Sequence, residues 1–340
     1  MNEPQKSSLL YRHLYRRRSL TTVVGLLVLL ASGFTGQCAP PFQDSALETY
    51  ELEVISDASR ILPLLQRPDE PFVMANLLVF KDMATGEGFE GLTGAEAYQI
   101  YSEGLTEIQA ALGSRLIWAG AVRQQVVGSG DPVFETLALL EYASPTAFLT
   151  LAGNPGEAPE ARIAGLLGQW AVASTSLEEP DPSPSASAER GEGRPFGGPP
   201  GVCREERHVP SRKPTTVSGL SLEQICRLLE GPAHEPVFIV ELLRFADGSG
   251  ELYQPYREAI AAANQETGGE LIWRGSLDTY VLGNASPSFD EMVVTRYPNP
   301  RAYLLTLKRP DVLAASPSRA QGLELNWLYT ADEVIDSFGS

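Results

Sequence analysis

The chain repeats itself, and no other feature limits its possible folds as strongly. PFVMANLLVFKD at 71–82 recurs as PVFIVELLRFAD at 236–247, 165 positions later. YQIY at 98–101 recurs as YQPY at 253–256, and LIWAG at 116–120 as LIWRG at 271–275, both 155 positions later. The same spacing relates Phe134 to Phe289, Tyr142 to Tyr297 and Pro145 to Pro300; it becomes 157 for Arg162 and Arg319 and for Trp170 and Trp327. Two copies of one supersecondary unit follow, because a matched series of this length constrains core positions together. The changes of spacing fall where loops absorb insertions.

A chain of 340 residues also exceeds the size at which one hydrophobic core is usual. Between the copies, EEPDPSPSASAERGEGRPFGGPPG at 178–201 is too rich in Pro, Ser and Gly to bury an apolar face and reads as a linker. The expected organisation is an N-terminal signal or anchor at 1–39, a first module at 48–176, a disordered linker at 177–217 and a second module at 218–334.

Within a copy the hydrophobic period changes in a fixed order. FVMANLLVF is a short apolar run, as expected of a strand buried on both faces. GAEAYQIYSEGLTEIQAAL places apolar residues at helical spacing behind Thr93 as N-cap. RLIWAGAVRQQVVG and PVFETLALLEY read as strands, SPTAFLTL opens a second helix capped by Ser144, and LLGQWAVAST is a last strand. The order β-α-β-β-α-β is ferredoxin-like and the fold class is α+β. A short helix precedes each first strand, DASRILPLLQ in one copy and SLEQICRLL in the other, as an appendage to the sheet edge or the neighbouring module.

NLLVF and ELLRF, the paired tyrosines of the first helix, the LIWxG strands and the phrases EYASPTAFLTL and RYPNPRAYLLTL together resemble the domain-of-unknown-function family 1330, within the dimeric α/β-barrel superfamily. The resemblance covers roughly residues 70–176 and 235–331. It implies that two ferredoxin-like sheets pair into a barrel, which also answers a physical need: a sheet covered by helices on one face must cover the other. The two copies either pair within the chain as a pseudo-dimer or pair with another chain as a homodimer, and the linker permits both.

The N-terminus carries an export pattern. Arg16, Arg17 and Arg18 precede LTTVVGLLVLLASGF at 20–34, which is followed by TGQCAPP, the order of a secretory signal. The apolar run is shorter than the roughly 18 residues of a spanning helix, so a cleaved signal is expected, with a retained anchor as the alternative. Cys38 is the lipidation candidate if the signal is that of a lipoprotein, although Gln37 stands where such signals carry a small residue. The body is then exported, periplasmic or tethered to a membrane through the N-terminus alone. Cys203 and Cys226 are able to pair in an oxidising compartment.

The net charge of −17, with no basic cluster in the body, argues against broad nucleic-acid binding. The three histidines, His13, His208 and His234, lie outside the expected strands and helices, which leaves no place for a histidine metal site or a Ser-His-Asp triad. No Gly-rich phosphate loop follows a strand. No metal and no cofactor are expected.

What remains are polar and aromatic residues at matched positions. Asn76 and Glu241 interrupt an apolar first strand, where an unpaired polar group costs about 1–3 kcal/mol, so each needs a partner; they are read as lining a barrel cleft or as fixing sheet geometry. Tyr101 and Tyr256, each three residues after another tyrosine, share a helix face with it and read as packing or as ligand stacking. Trp118 and Trp273 suit a cleft for a small apolar ligand, and Arg162 and Arg319 suit a ligand carboxylate or an internal acid. The copies differ at Asn76/Glu241, Val79/Arg244 and Ala119/Arg274, as if one had kept a site and the other become structural. The resulting expectation is a non-catalytic exported module that binds a small organic molecule or a protein partner. The alternative, a cofactor-independent oxygenase or isomerase, rests on analogy of fold.

Overall fold

A computed structural model describes residues 49–56, 58–128, 133–153, 159–178 and 220–334. The signal or anchor, Cys38, Cys203 and nearly all of the linker lie outside the described residues. Among the described residues no helix is long and apolar enough to cross a membrane.

The first module runs β2 (Phe72–Phe80), α2 (Gly94–Ala111), β3 (Arg115–Val127), β4 (Thr136–Tyr142), α3 (Pro145–Gly153), α4 (Pro159–Gly165) and β5 (Leu166–Glu178), preceded by β1 (Thr49–Glu51) and α1 (Ala58–Leu65). The second runs α5 (Leu222–Leu228), β6 (Val237–Phe245), α6 (Gln254–Thr267), β7 (Glu270–Leu282), β8 (Asn284–Ser286), β9 (Glu291–Tyr297), α7 (Pro300–Leu307), α8 (Pro310–Gly322) and β10 (Leu323–Glu333). Local sequence sets the helix starts. Thr93 and Ser221 each form a reciprocal capping box, with Glu96 and Gln224, satisfying N–H groups that would otherwise lack partners. Asn299 caps α7, with proline in its first turn.

Strand order is β5-β2-β4-β3 in the first module and β10-β6-β9-β7 in the second, the ferredoxin-like arrangement twice over. The sheets join edge to edge within the one chain. β10 pairs antiparallel with β3, and β5 with β7, closing an eight-stranded barrel. The pseudo-dimer therefore forms inside the chain. The appended helices cross over: α1 packs on β7 of the second module and α5 on β3 of the first. A strap at the N-terminal side joins in, since β1 pairs with β8 and Glu53 bridges Gln169.

Alternation along the strands divides two environments. Val73, Ala75, Leu77, Phe238, Val240 and Leu242 point into the barrel, where they meet Trp118, Trp170, Trp273 and Trp327, each no more than 1% exposed. Trp170 and Trp327 stack inside the barrel with ring centroids 6.1 Å apart and planes 14° from parallel. At roughly 150–250 Å² per indole and 25 cal/mol/Å², each ring contributes about 4–6 kcal/mol of gross apolar stabilisation. Among the described residues the barrel interior is an apolar core rich in aromatic side chains.

The LIWxG strands show why that motif occurs twice. A methyl group on Gly120 would collide with the ring of Trp118, and one on Gly275 with the ring of Trp273. Each indole folds back over its own strand, and only glycine leaves it room. A register shift at Ile117 and another at Ile272 accompany this arrangement. The expectation that Trp118 and Trp273 flank a ligand cleft is corrected here: both are buried in the barrel.

Candidate functional site

On the opposite face of each sheet, under the helices, the matched polar residues come together. Asn76 and Glu241 also face this layer, not the barrel interior, which corrects the reading that placed them in a barrel cleft.

In the first module, Asn76 on β2 donates through Nδ2 to the Met74 carbonyl at 3.1 Å and accepts at Oδ1 from Gln169 Nε2 at 3.5 Å. Arg162 on α4 donates to Gln169 Oε1 at 2.9 Å and to the carbonyl of Val54 in the strap, and its guanidinium lies 6.0 Å from the Tyr101 ring centre. Tyr98 stacks obliquely on Tyr101 at 5.4 Å. Both ends of the Asn76 amide are thus used internally, and the strap supplies an acceptor for the arginine.

The second module repeats the plan with different chemistry. Arg319 on α8 donates to Asn326 Oδ1 at 3.2 Å, and Asn326 Nδ2 to Glu241 Oε1 at 3.5 Å. Arg319 stands over the Tyr256 ring at 5.8 Å, and Tyr253 lies 5.5 Å from Tyr256. Arg319 and Asn326 are almost wholly buried, whereas Glu241 keeps part of its surface accessible although it sits on a central strand beneath helices. Among the described residues no hydrogen bond reaches its second oxygen. Burial pushes the Glu241 carboxyl above its ordinary range, while Arg319 and Asn326 pull it back down. Burial pushes the phenols of Tyr253, Tyr297 and Tyr303 well up, with the Glu241 charge adding to the effect, so these rings stay neutral.

An ion-pair chain adjoins this cluster. Glu291 on β9 is 2% exposed and receives Arg257 at 2.9 Å and Arg274 at 2.9 Å; Arg274 also reaches Glu178 at the end of β5 at 2.5 Å, tying the modules together. The first module has Thr136, Ser102 and Ala119 at the positions of Glu291, Arg257 and Arg274, so nothing like it forms there.

Of the eight ligand-site candidates, the structure gathers six into two clusters, Asn76, Tyr101 and Arg162 in one and Glu241, Tyr256 and Arg319 in the other, and sends Trp118 and Trp273 elsewhere. Sequence reasoning missed Gln169, Asn326, Glu291 and Arg257. A signal for the first two was available: a polar residue precedes or nearly precedes a tryptophan in each last strand, Gln169 before Trp170 and Asn326 before Trp327. Among the described residues no group of three or more His, Cys, Asp or Glu is placed to hold a metal ion.

No protein-family model matches the sequence, and no curated relative matches it. Solved structures of similar shape include a protein of unknown function from Rhodopseudomonas palustris, at 22% identity and TM-score 0.35, covering 37% of this chain and 98% of that one. A monooxygenase-like protein from Lactobacillus acidophilus aligns at 11% identity and TM-score 0.41 over 78% of this chain and 94% of its own. Chlorite dismutase from Candidatus Nitrospira defluvii aligns at 9% identity and TM-score 0.38 over 83% and 98%. At these TM-scores the similarities carry no functional argument. The dimeric α/β-barrel architecture stands on the strand order itself.

Proposed function

We propose that this chain is an exported protein that binds a small organic molecule at Glu241, between the helices and the sheet of its second module, with the first module serving as structural partner. One observation carries the reading: a deep carboxyl, Glu241, has an uncommitted oxygen in the second module, while its counterpart Asn76 is hydrogen-bonded at both ends. A buried polar group with an open valence amid tyrosines and an arginine is the arrangement expected of a ligand site. The repeat motifs also support assigning each module to the domain-of-unknown-function family 1330. Export is supported by the basic and apolar order of the N-terminus and by the disulfide carried by Cys226.

The test is a small-molecule library screened by saturation-transfer NMR against the full chain. Hits are expected to weaken in Glu241→Gln and to persist in Asn76→Ala; hits indifferent to Glu241→Gln would place the site elsewhere. Export is checked by fractionating cells, where recovery of the whole chain in the cytoplasm would end that part of the reading.

The raised carboxyl of Glu241 favours one alternative, a cofactor-independent isomerase in which Glu241 takes a proton from one carbon of the substrate and returns it to another. Deuterium incorporation from heavy water into a bound ketone, lost in Glu241→Gln, would support it; no incorporation would sink it.

A further inference from the structure

The two seams at which the halves of the barrel meet are closed differently, and one of them holds a cavity. At the β5–β7 seam Arg67, just after α1, donates to Asp278 Oδ2 on β7 at 2.9 Å and to Thr175 Oγ1 on β5 at 2.7 Å, with its guanidinium 5.8 Å from the ring centre of Phe72. The repeat spacings put Arg123, Asp332 and Val237 at the positions of Asp278, Thr175 and Phe72. Gly231 takes the place of Arg67: each stands three residues after a buried leucine and just before a proline. At the β3–β10 seam the cation therefore sits on a strand. Arg123 donates through Nε to Asp332 Oδ2 at 2.6 Å, and its Nη2 pairs with the same carboxylate.

The two large side chains that close the first seam are thus a glycine and a valine at the second. A cavity of about 170 Å³ lies there, at the end of α5, lined by Arg123, Leu228, Gly231, Val237 and Thr330, with Glu230 its only exposed member. Two polar groups of the lining lack protein partners. Among the described residues no hydrogen bond reaches Arg123 Nη1, to which a methyl group on Gly231 would come within 2.9 Å. Thr330 is 2% exposed and its hydroxyl has no partner, at a position where the first module has Ala173. A buried hydroxyl without a partner is rare in a folded protein. Arg123 can only donate and Thr330 is able to, so together they call for an acceptor oxygen, beside an apolar wall of Leu228 and Val237. Asp332, Glu230 and Glu235, the last 3.9 Å from Arg123, outnumber the one guanidinium and oppose a carboxylate. An ammonium group brings no acceptor. The volume is below the roughly 300–1,000 Å³ of a drug-sized pocket and suits a small ring.

We propose that the cavity at the β3–β10 seam is a binding site for a small neutral molecule with a carbonyl oxygen and a compact apolar body, such as a cyclic amide. The oxygen accepts from Arg123 Nη1 and from Thr330, and the body lies against Leu228 and Val237. None of the lining residues belongs to the Glu241 cluster, so this site is independent of the one proposed above.

Three probes of similar size are titrated by saturation-transfer NMR on the full chain at neutral pH: caprolactam, cyclohexanecarboxylate and cyclohexylammonium. Caprolactam is expected to bind with a Kd of about 1 mM, at least about tenfold more tightly than either charged probe. Val237→Phe installs the ring that the first module carries at this position and should weaken caprolactam at least about tenfold by filling the cavity. Thr330→Val keeps the shape, removes the hydroxyl and should weaken it about threefold to tenfold. Glu241→Gln should leave it unchanged. Because Thr330→Val is nearly isosteric, its result stands even where Val237→Phe fails to fold. A charged probe that binds as tightly as caprolactam overturns the neutral carbonyl assignment. Caprolactam binding that ignores both cavity variants, or that is lost in Glu241→Gln alone, overturns the site, as does no binding by any probe at about 10 mM.

Discussion

The two polar clusters are built on one plan and have come to differ in a single respect that matters. Around Asn76 the amide, Gln169, Arg162 and the strap carbonyl of Val54 satisfy one another. Around Glu241 the chain of bonds from Arg319 through Asn326 ends on one carboxyl oxygen and leaves the other open. Replacing an amide by a carboxylic acid at one position turns a fixing element into a group that titrates and accepts. The comparison teaches that burial of polar residues at matched repeat positions is a property of the scaffold, while an unfilled valence is a property of one copy.

Predictions follow the contrast downward in size. Trp170→Ala and Trp327→Ala should each cost about 3–5 kcal/mol, nearly equally, because the pair stacks inside the barrel and belongs to neither cluster; unfolding free energies from urea titration that differ by more than about 2 kcal/mol between the two would show that the barrel is less symmetric than its strands. Arg319→Ala should cost roughly 3 kcal/mol, since it leaves Asn326 and a buried acid without their cation. Arg162→Ala, in the half-exposed counterpart, should cost only about 1–2 kcal/mol. Equal losses in chemical denaturation would break the distinction between the modules. Glu291→Gln should cost about 2–3 kcal/mol by uncovering two arginines, against less than about 1 kcal/mol for Thr136→Val at the matched position.

The smallest effect concerns pH. The folded-state pKa of Glu241 is raised above its unfolded value, so the folded protein holds that proton more tightly. Its contribution is fully present below the ordinary glutamate range, about 4.3, and is lost as pH climbs through the raised value. Glu241→Gln should flatten that decline while Asn76→Ala leaves it in place. Asp247 runs the other way: backbone N–H groups of Leu252, Gly250 and Ser249 hold its carboxyl down to about 2, so its contribution exists above the ordinary aspartate range and disappears as pH falls toward about 2. Stability curves of Glu241→Gln and Asp247→Asn between acid and neutral pH separate the slopes.

Much of this was legible in the sequence because repetition turns one chain into two aligned readings. The β-α-β-β-α-β order, the appended helices and the matched polar positions all follow from local periodicity. Other features depended on contacts between distant residues. Whether β10 meets β3 of the same chain is not written in either strand, and the linker allows both outcomes. The crossing of α1 and α5 to the opposite module is equally non-local. The tryptophans misled for a geometric reason: shifts at Ile117 and Ile272, with glycines that admit the rings, put Trp118 and Trp273 in the barrel and not beside the polar layer. Glu291 was obscured because its partners Arg257 and Arg274 come from a helix and a neighbouring strand far from it in sequence.

Closure of the barrel by a single chain changes what dilution does to it. A barrel made from two separate chains comes apart as concentration falls, since assembly is bimolecular. Here the halves are held at an effective concentration fixed by their connection, so the fold should be as stable at nanomolar as at micromolar protein. Each outer strand of one half is occupied by the other, leaving the barrel without an open edge on which foreign strands could grow. However dilute the protein, both polar clusters keep their scaffold without either half having to find a partner.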